Sequence, residues 1–250
     1  MTPRFSPPPI APLFASSALI ICISMPVAAQ EPPPKLWSGD IEFGYVSTTG
    51  NTEESTAKSR MDVNREKNNW RYNIIFESLN SESNGRRSAE KYFASNRLAY
   101  QYTDTNFMFA SLSYDDDDFS GFDYQTTATA GWGRRLVNNK TMQWDVGAGP
   151  GYRYSKVDDS TNDEDSEALV LSGFTKFVWD FSETANFFQS LTIEAGEDGN
   201  TISKSISALK VQIIGSLSLK LSYTIKYTDE VPVDTKHADT ESAVTVAYSF

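Results

Sequence analysis

The stretch TMQWDVGAGPGYRY, Thr141 to Tyr154, divides into two interleaved sets of residues. Met142, Trp144, Val146, Ala148, Pro150, Tyr152 and Tyr154 are predominantly apolar, whereas Thr141, Gln143, Asp145, Gly147, Gly149, Gly151 and Arg153 are polar or small. Successive side chains of an extended chain point to opposite faces, so this spacing predicts a strand with one apolar and one polar face. Two architectures accept such a strand. In a soluble sandwich the apolar face meets a second sheet and the polar face meets bulk water. In a membrane barrel the apolar face meets lipid and the polar face meets a wet interior.

The alternation recurs along the chain. Ile41, Phe43 and Tyr45 open it; Trp70, Tyr72, Ile74 and Phe76 continue it, followed by Tyr92, Ala94, Leu98 and Tyr100, then Met108, Ala110, Leu112 and Tyr114. It is clearest in SLSLKLSYTIKY, where Leu217, Leu219, Leu221, Tyr223, Ile225 and Tyr227 face Ser218, Lys220, Ser222, Thr224 and Lys226. Val244, Val246, Tyr248 and Phe250 finish the series. Ile202 to Ile213 is ambiguous in phase and is expected to hold a bulge. Pro150, a missing ladder donor between two glycines, predicts another. The count is about 12 strands of about ten residues, a length that crosses a bilayer when tilted.

Connection lengths supply an independent signal. Long segments such as STTGNTEE, LNSESNGRRSAE, DDDDFSGFD and SKVDDSTNDEDSE alternate with short ones such as REKNN, TDTN, LVNNKT and FSET. Long loops at one end and tight turns at the other characterise bacterial outer-membrane barrels, and a Greek-key sandwich has no reason to show them. Trp and Tyr near the strand ends, at Trp37, Trp70, Tyr100, Tyr114, Trp132, Tyr154 and Tyr227, suit interfacial girdles. The expected fold is therefore all-β: an antiparallel transmembrane β-barrel with long extracellular loops and short periplasmic turns.

The first 29 residues place Arg4 ahead of an apolar run, Leu13 to Met25, and small residues before a cut after Ala29. That is the layout of a secretory signal peptide. Residues 30–36 then read as a short Pro-rich periplasmic segment and 37–250 as the barrel. The single cysteine, Cys22, leaves with the signal, so no disulfide or thiolate metal site is expected. Removing 1–29 takes only Arg4 from the 22 Lys and Arg that oppose 33 Asp and Glu, leaving a net charge of about −12. So acidic a chain lacks the clustered positive charge that nucleic-acid binding needs. Its 39% hydrophobic and 13% aromatic content excludes a disordered chain.

The Trp-led first strand into STTGNTEES (47–55), DDFSG (117–121), GWGRRL (131–136), DVGAGPGYRY (145–154) and the closing VAYSF occur in an order that resembles one family. It is the salt-induced outer-membrane proteins of Gram-negative bacteria, defined by a domain of unknown function. The resemblance spans nearly all of the exported chain. It implies an outer-membrane barrel and assigns no chemistry. Phe250 is similar to the carboxy-terminal aromatic signal that the outer-membrane assembly machinery reads.

The polar faces supply the candidate lumen-lining residues: Lys58, Arg60, Arg71, Arg97, Asp145, Arg153, Lys220 and Lys226, together with Arg135. Asp40, Glu42, Asp62, Glu66, Glu77, Asp123 and Glu194 join Asp145 as the opposing carboxylates. Balanced charges can pair and close a narrow barrel; segregated on opposite walls they make a transverse field. Asp115, Asp116, Asp117 and Asp118 form an oxygen-rich run suited to a divalent cation that bridges to lipopolysaccharide, although the spacing is not that of an EF-hand. A solvated, self-repelling loop explains the same run. His237, with Asp239 and Ser242 nearby, raises a hydrolase; residues so close in sequence rarely converge as a triad. No catalytic residue and no cofactor is expected. A passive channel for small polar or ionic solutes ranks first, and a closed structural or envelope-stress barrel whose acidic loops meet cations, lipopolysaccharide or a partner ranks second.

Overall fold

Twelve strands carry the alternation. They are β1 (Trp37–Thr48), β2 (Glu54–Lys67), β3 (Trp70–Ser83), β4 (Arg86–Gln101), β5 (Asn106–Asp117), β6 (Phe122–Asn138), β7 (Met142–Val157), β8 (Ser166–Ser182), β9 (Ala185–Gly196), β10 (Thr201–Ile214), β11 (Leu217–Thr228) and β12 (Ala238–Ser249). Each pairs antiparallel with the next, and β1 returns to β12, closing the sheet into a barrel. The structure is a computed structural model that describes residues 36–48, 54–84, 86–117, 122–157, 165–231 and 236–250. The signal peptide expected at 1–29, Asp118 and the turn at 49–52 lie outside the described residues.

The strands are longer than expected, from 12 residues in β1 to 17 in β6 and β8. The clearest case is the segment LNSESNGRRSAE, expected as a loop, most of which instead continues the β3–β4 ladder up to Ser83↔Arg86. Backbone pairing does not need apolar side chains, so the alternation marks only the part of each strand that meets an apolar medium. At this loop end Thr48 and Glu54, Val157 and Ser166, and Thr228 and Ala238 are the strand ends with the longest sequence separations across a connection. Tight turns occupy the other, where Asn68 and Gly215 take positive φ between paired strands.

Pro150 does not make a bulge. The β6–β7 ladder passes from Thr129↔Gly151 to Trp132↔Ala148 in unbroken register, and its shifts lie elsewhere, at Phe122/Tyr124 and Arg135/Val137. Gly131 and Gly149 let the two backbones stay close here, since a Cβ on either would strike the carbonyl of Ala148 or Ala130. The lost donor therefore becomes a gap in the ladder without a slip in register. The bulge expected in β10 is present, between Gln212 and Ile214. That strand's ambiguous phase has a cause: by register Ile202, Ile206 and Ala208 turn inward while Ser203, Ser205 and Ser207 turn outward. Gln189 on β9 satisfies part of this outward polar strip, donating to Ser205 Oγ at 3.0 Å and accepting from Ser207 at 2.5 Å.

The burial pattern inverts that of a soluble protein. Phe43, Met108 and Leu171 are each 60% or more exposed on the outer face, whereas Glu42, Asp145 and Arg153 are buried inside. Exposure of one large apolar residue is ordinary; a continuous outward belt of them is the lipid-facing surface of a barrel. Aromatic girdles flank it. At the turn end Trp70 packs on Tyr100 with ring centroids 4.9 Å apart, and Trp132 Nε1 donates to Tyr102 at 2.6 Å. At the loop end Tyr114 stacks on Tyr124 at 5.4 Å.

A closed barrel has no sheet edge from which unfolding can start. We therefore expect the detergent-solubilised protein to resist SDS until boiled and to migrate differently before and after heating. A soluble periplasmic fraction with no such shift would contradict a membrane barrel.

Candidate functional site in the lumen

Once the register is set, every second residue of each strand faces the lumen. Lys58, Arg60, Arg71, Arg97, Asp145, Arg153, Lys220 and Lys226 all lie on this inner parity. Most of them pair, and they do so in two zones.

The first zone laces the seam where β1 meets β12. Among the described residues that ladder is the shortest, running from Asp40↔Ser249 to Phe43↔Val246. Side chains reinforce it: Lys210 donates to Asp40 at 2.6 Å and to Ser249 at 2.9 Å. Lys220 reaches Glu42 at 2.6 Å, and Thr245 donates to the other Glu42 oxygen at 3.2 Å. Arg60 lies 3.6 Å from Glu42, 3.1 Å from Asp62 and against Glu77. Lys58 pairs with Glu241 on β12.

The second zone crosses the lumen. Lys226 on β11 bonds Asp115 on β5 at 2.8 Å, half the circumference away. Arg71 on β3 reaches Asp145 on β7 at 3.2 Å, and Arg135 holds the same carboxylate at 2.8 Å. Arg153 is clasped at the loop end by Asp198 at 3.2 Å and by the Asn200 carbonyl at 3.3 Å. The inward charges thus mostly pair, and several pairs bridge strands that are not neighbours.

Between the bridges at Lys226–Asp115 and Arg71–Asp145 lies a cavity of about 490 Å³. Its wall includes aromatic residues: Phe93, Phe107, Phe174 and Phe188 face inward. Two inward glycines make room for the rings. A Cβ on Gly133 would strike Phe107, and one on Gly147 would lie 2.5 Å from Phe174. Phe107 and Phe109 form a small buried cluster with Ala99 and Phe174. These rings, and the inward lysines Lys91, Lys176, Lys204 and Lys210, were missed as lumen residues in the sequence. Their parity was a usable signal, because Phe107 and Phe109 alternate with the outward Met108 and Ala110.

The acidic run alternates as any strand must. Asp115 turns inward to Lys226 and Asp117 to Lys91 at 2.7 Å, whereas Asp116 turns outward and accepts from the Tyr114 hydroxyl at 2.9 Å. Among the described residues no group of three or more His, Cys, Asp or Glu is placed to hold a metal ion. His237 stacks on Tyr227, and its Nδ1 lies 3.0 Å from the Thr228 carbonyl. Asp239 registers with the inward Lys226 and Ser242 with the outward Tyr223, so the three residues do not converge.

A closed antiparallel barrel of twelve strands, apolar outside and charged within, is a transmembrane β-barrel. The chain belongs to the family described as "Protein of unknown function, DUF481", which matches residues 41–250. It is 28% identical over 236 residues to "Uncharacterized protein YdiY" of Escherichia coli (strain K12), covering 94% of this chain and 90% of that one. Among solved structures it is similar to the translocator domain of the autotransporter NalP from Neisseria meningitidis (TM-score 0.45, 15% identity, 86% of this chain and 88% of that one). It is also similar to an outer membrane channel from Pseudomonas putida F1 (TM-score 0.48, 7% identity, 90% and 99%).

Proposed function

We propose that the protein is a narrow passive channel of the outer membrane for small polar or ionic solutes. The observation that carries this reading is the charged cavity of about 490 Å³ inside the closed barrel. An eight-stranded barrel is filled by its own side chains and a 16-stranded one leaves a wide aqueous pore; twelve strands fall between. The bridges Lys226–Asp115 and Arg71–Asp145 narrow the path, and passage between them needs only side-chain movement. Reconstitution into a planar bilayer tests this: purified, folded protein is expected to give discrete current steps, and their absence at every voltage would remove the channel.

A second reading follows from the loop-end rim. The hydroxyls of Tyr114 and Tyr154 donate to Asp116 and Asp165, which would present outward carboxylates at lipopolysaccharide height, whereas Glu90, which accepts from Tyr92, is paired with Arg87. In that reading the barrel is a closed envelope-stress structure that meets cations, lipopolysaccharide or a partner through its acidic rim. Its heat-shift temperature would then rise with calcium and respond to salt. Indifference to both would count against it.

A further inference from the structure

Most lumen charges are paired, and the exceptions include both signs: among the described residues the cavity-lining Glu66 and Glu194 have no ion-pair partner, Glu194 accepting only from the Thr127 hydroxyl at 3.3 Å, and three cations on the wall also have none. Among the described residues no carboxylate lies within ion-pair distance of Arg97, Lys176 or Lys204, although all three face the cavity. Each is held over an aromatic ring instead. Arg97 lies 4.2 Å from the centre of Phe174 and 5.1 Å from Phe109; Lys204 lies 4.1 Å from Phe93; Lys176 lies 5.8 Å from Phe188. A ring face attracts a cation but accepts few of its hydrogen bonds, so their N–H donors stay open to the cavity. The buried Arg71 Nε, on the neighbouring strand, also lacks an acceptor.

Arg97 and Lys176 belong to one subsite. Phe174 and Lys176 are alternate inward residues of β8, so the Arg97 guanidinium that sits on Phe174 is one inward position along the wall from Lys176. In register, Lys176 faces Ser190 and Ser190 faces Ile206, which places an apolar patch of Phe188 and Ile206 next to the cations. A guanidinium fork and an ammonium side by side suit a carboxylate, which accepts from both. The adjoining apolar patch suits a hydrophobic body. Leaving two such cations unpaired in a confined space is unfavourable, and a guest anion removes that cost.

We propose that the lumen holds a binding site for a small organic carboxylate with an apolar body, its carboxylate between Arg97 and Lys176 and its body against Phe188 and Ile206. The proposal rests on the channel reading of the same lumen and names the solute class that passes. Lys204, nearer the loop end, extends the cationic track toward the bridge at Lys226.

Calorimetric titration of the folded, detergent-solubilised barrel with benzoate, benzyl alcohol and benzylammonium tests it. Benzoate is expected to bind, and the neutral and cationic analogues to bind at least about ten-fold more weakly, since each charge-assisted contact is worth roughly a factor of ten. Arg97→Met and Lys176→Met should each weaken benzoate by about ten-fold, while Lys67→Gln on the outer parity should leave it unchanged. Should a Met variant lose the heat shift of the folded barrel, Arg97→Lys replaces it: the charge stays, the fork is lost, and weaker binding is still expected. Equal binding of the three probes, no benzoate binding, or undiminished binding by a folded Arg97 variant would overturn the site. Benzoate added to the bilayer separates the two readings. A barrel that binds benzoate but never conducts removes the channel and keeps the site, whereas one that conducts and neither binds benzoate nor loses current to it removes the site alone.

Discussion

Deletion of Phe250, or its replacement by Asp, is expected to lower the amount of barrel assembled in the outer membrane about ten-fold or more, leaving chain in the periplasm for proteolysis. The structure gives the residue a definite place. Its N–H donates to the Gly39 carbonyl at 3.1 Å, and its own carbonyl accepts from the Gly39 N–H at 3.3 Å. Its ring covers Gly39, where a Cβ would lie 2.9 Å from the ring tip. Phe250 therefore adds a last pair to the short β1–β12 seam. For the deletion, two backbone hydrogen bonds at about 1 kcal/mol each correspond to roughly thirty-fold in the closing equilibrium, whereas Asp keeps those bonds and puts a charge where the ring covers Gly39. Thr245→Ser keeps the hydroxyl that bonds Glu42 and should be tolerated. Fractionation with the folded, heat-shiftable band as readout checks both; normal outer-membrane amounts of the deletion would show that the Gly39–Phe250 pair does not decide assembly.

Glu42→Ala is expected to weaken the same seam from inside. Glu42 is only 3% exposed and takes Lys220, Arg60 and Thr245. Its removal leaves Lys220 without that partner and the Thr245 hydroxyl without an acceptor. Breaking a buried pair by removing one partner costs about 3–5 kcal/mol, and hydration from the lumen reduces this. We expect the temperature of the heat shift to fall by roughly 5–10 °C. Glu42→Gln keeps acceptor capacity without the charge and should fall between. An Ala variant with an unchanged transition would mean that the ion pairs do not hold the seam.

The candidate site was legible in its parts and illegible in its pairings. Lys226 and Asp115 stand 111 positions apart on opposite walls, and neither carries a mark of the other in the sequence. Their meeting depends on strand order, closure and stagger acting together. The same holds for Arg97, whose ring partners lie on β5 and β8. Pro150 misled for a related reason: the local rule points to a bulge, but Gly131 facing Gly149 keeps the two backbones close enough to hold register across the missing donor, and that pairing exists only after β6 and β7 align.

What the amino-acid sequence determined by itself is the two-sidedness of the sheet. In Trp70, Tyr72, Ile74 and Phe76, or Leu217 through Tyr227, the period of two assigns each residue a face wherever the strand runs, because the alternation is a property of extended backbone. The number of strands and the division into loop and turn ends follow from the same local signals. The tertiary structure alone decided what the inner face becomes. There Phe107 and Phe174 enter recesses left by Gly133 and Gly147, Ile202 and Ile206 turn inward against the usual pattern, and Arg97 and Lys176 are left without carboxylates. Outward residues share one solvent, so type alone predicts them. Inward residues meet only one another, and which ones meet is set by closure of the sheet.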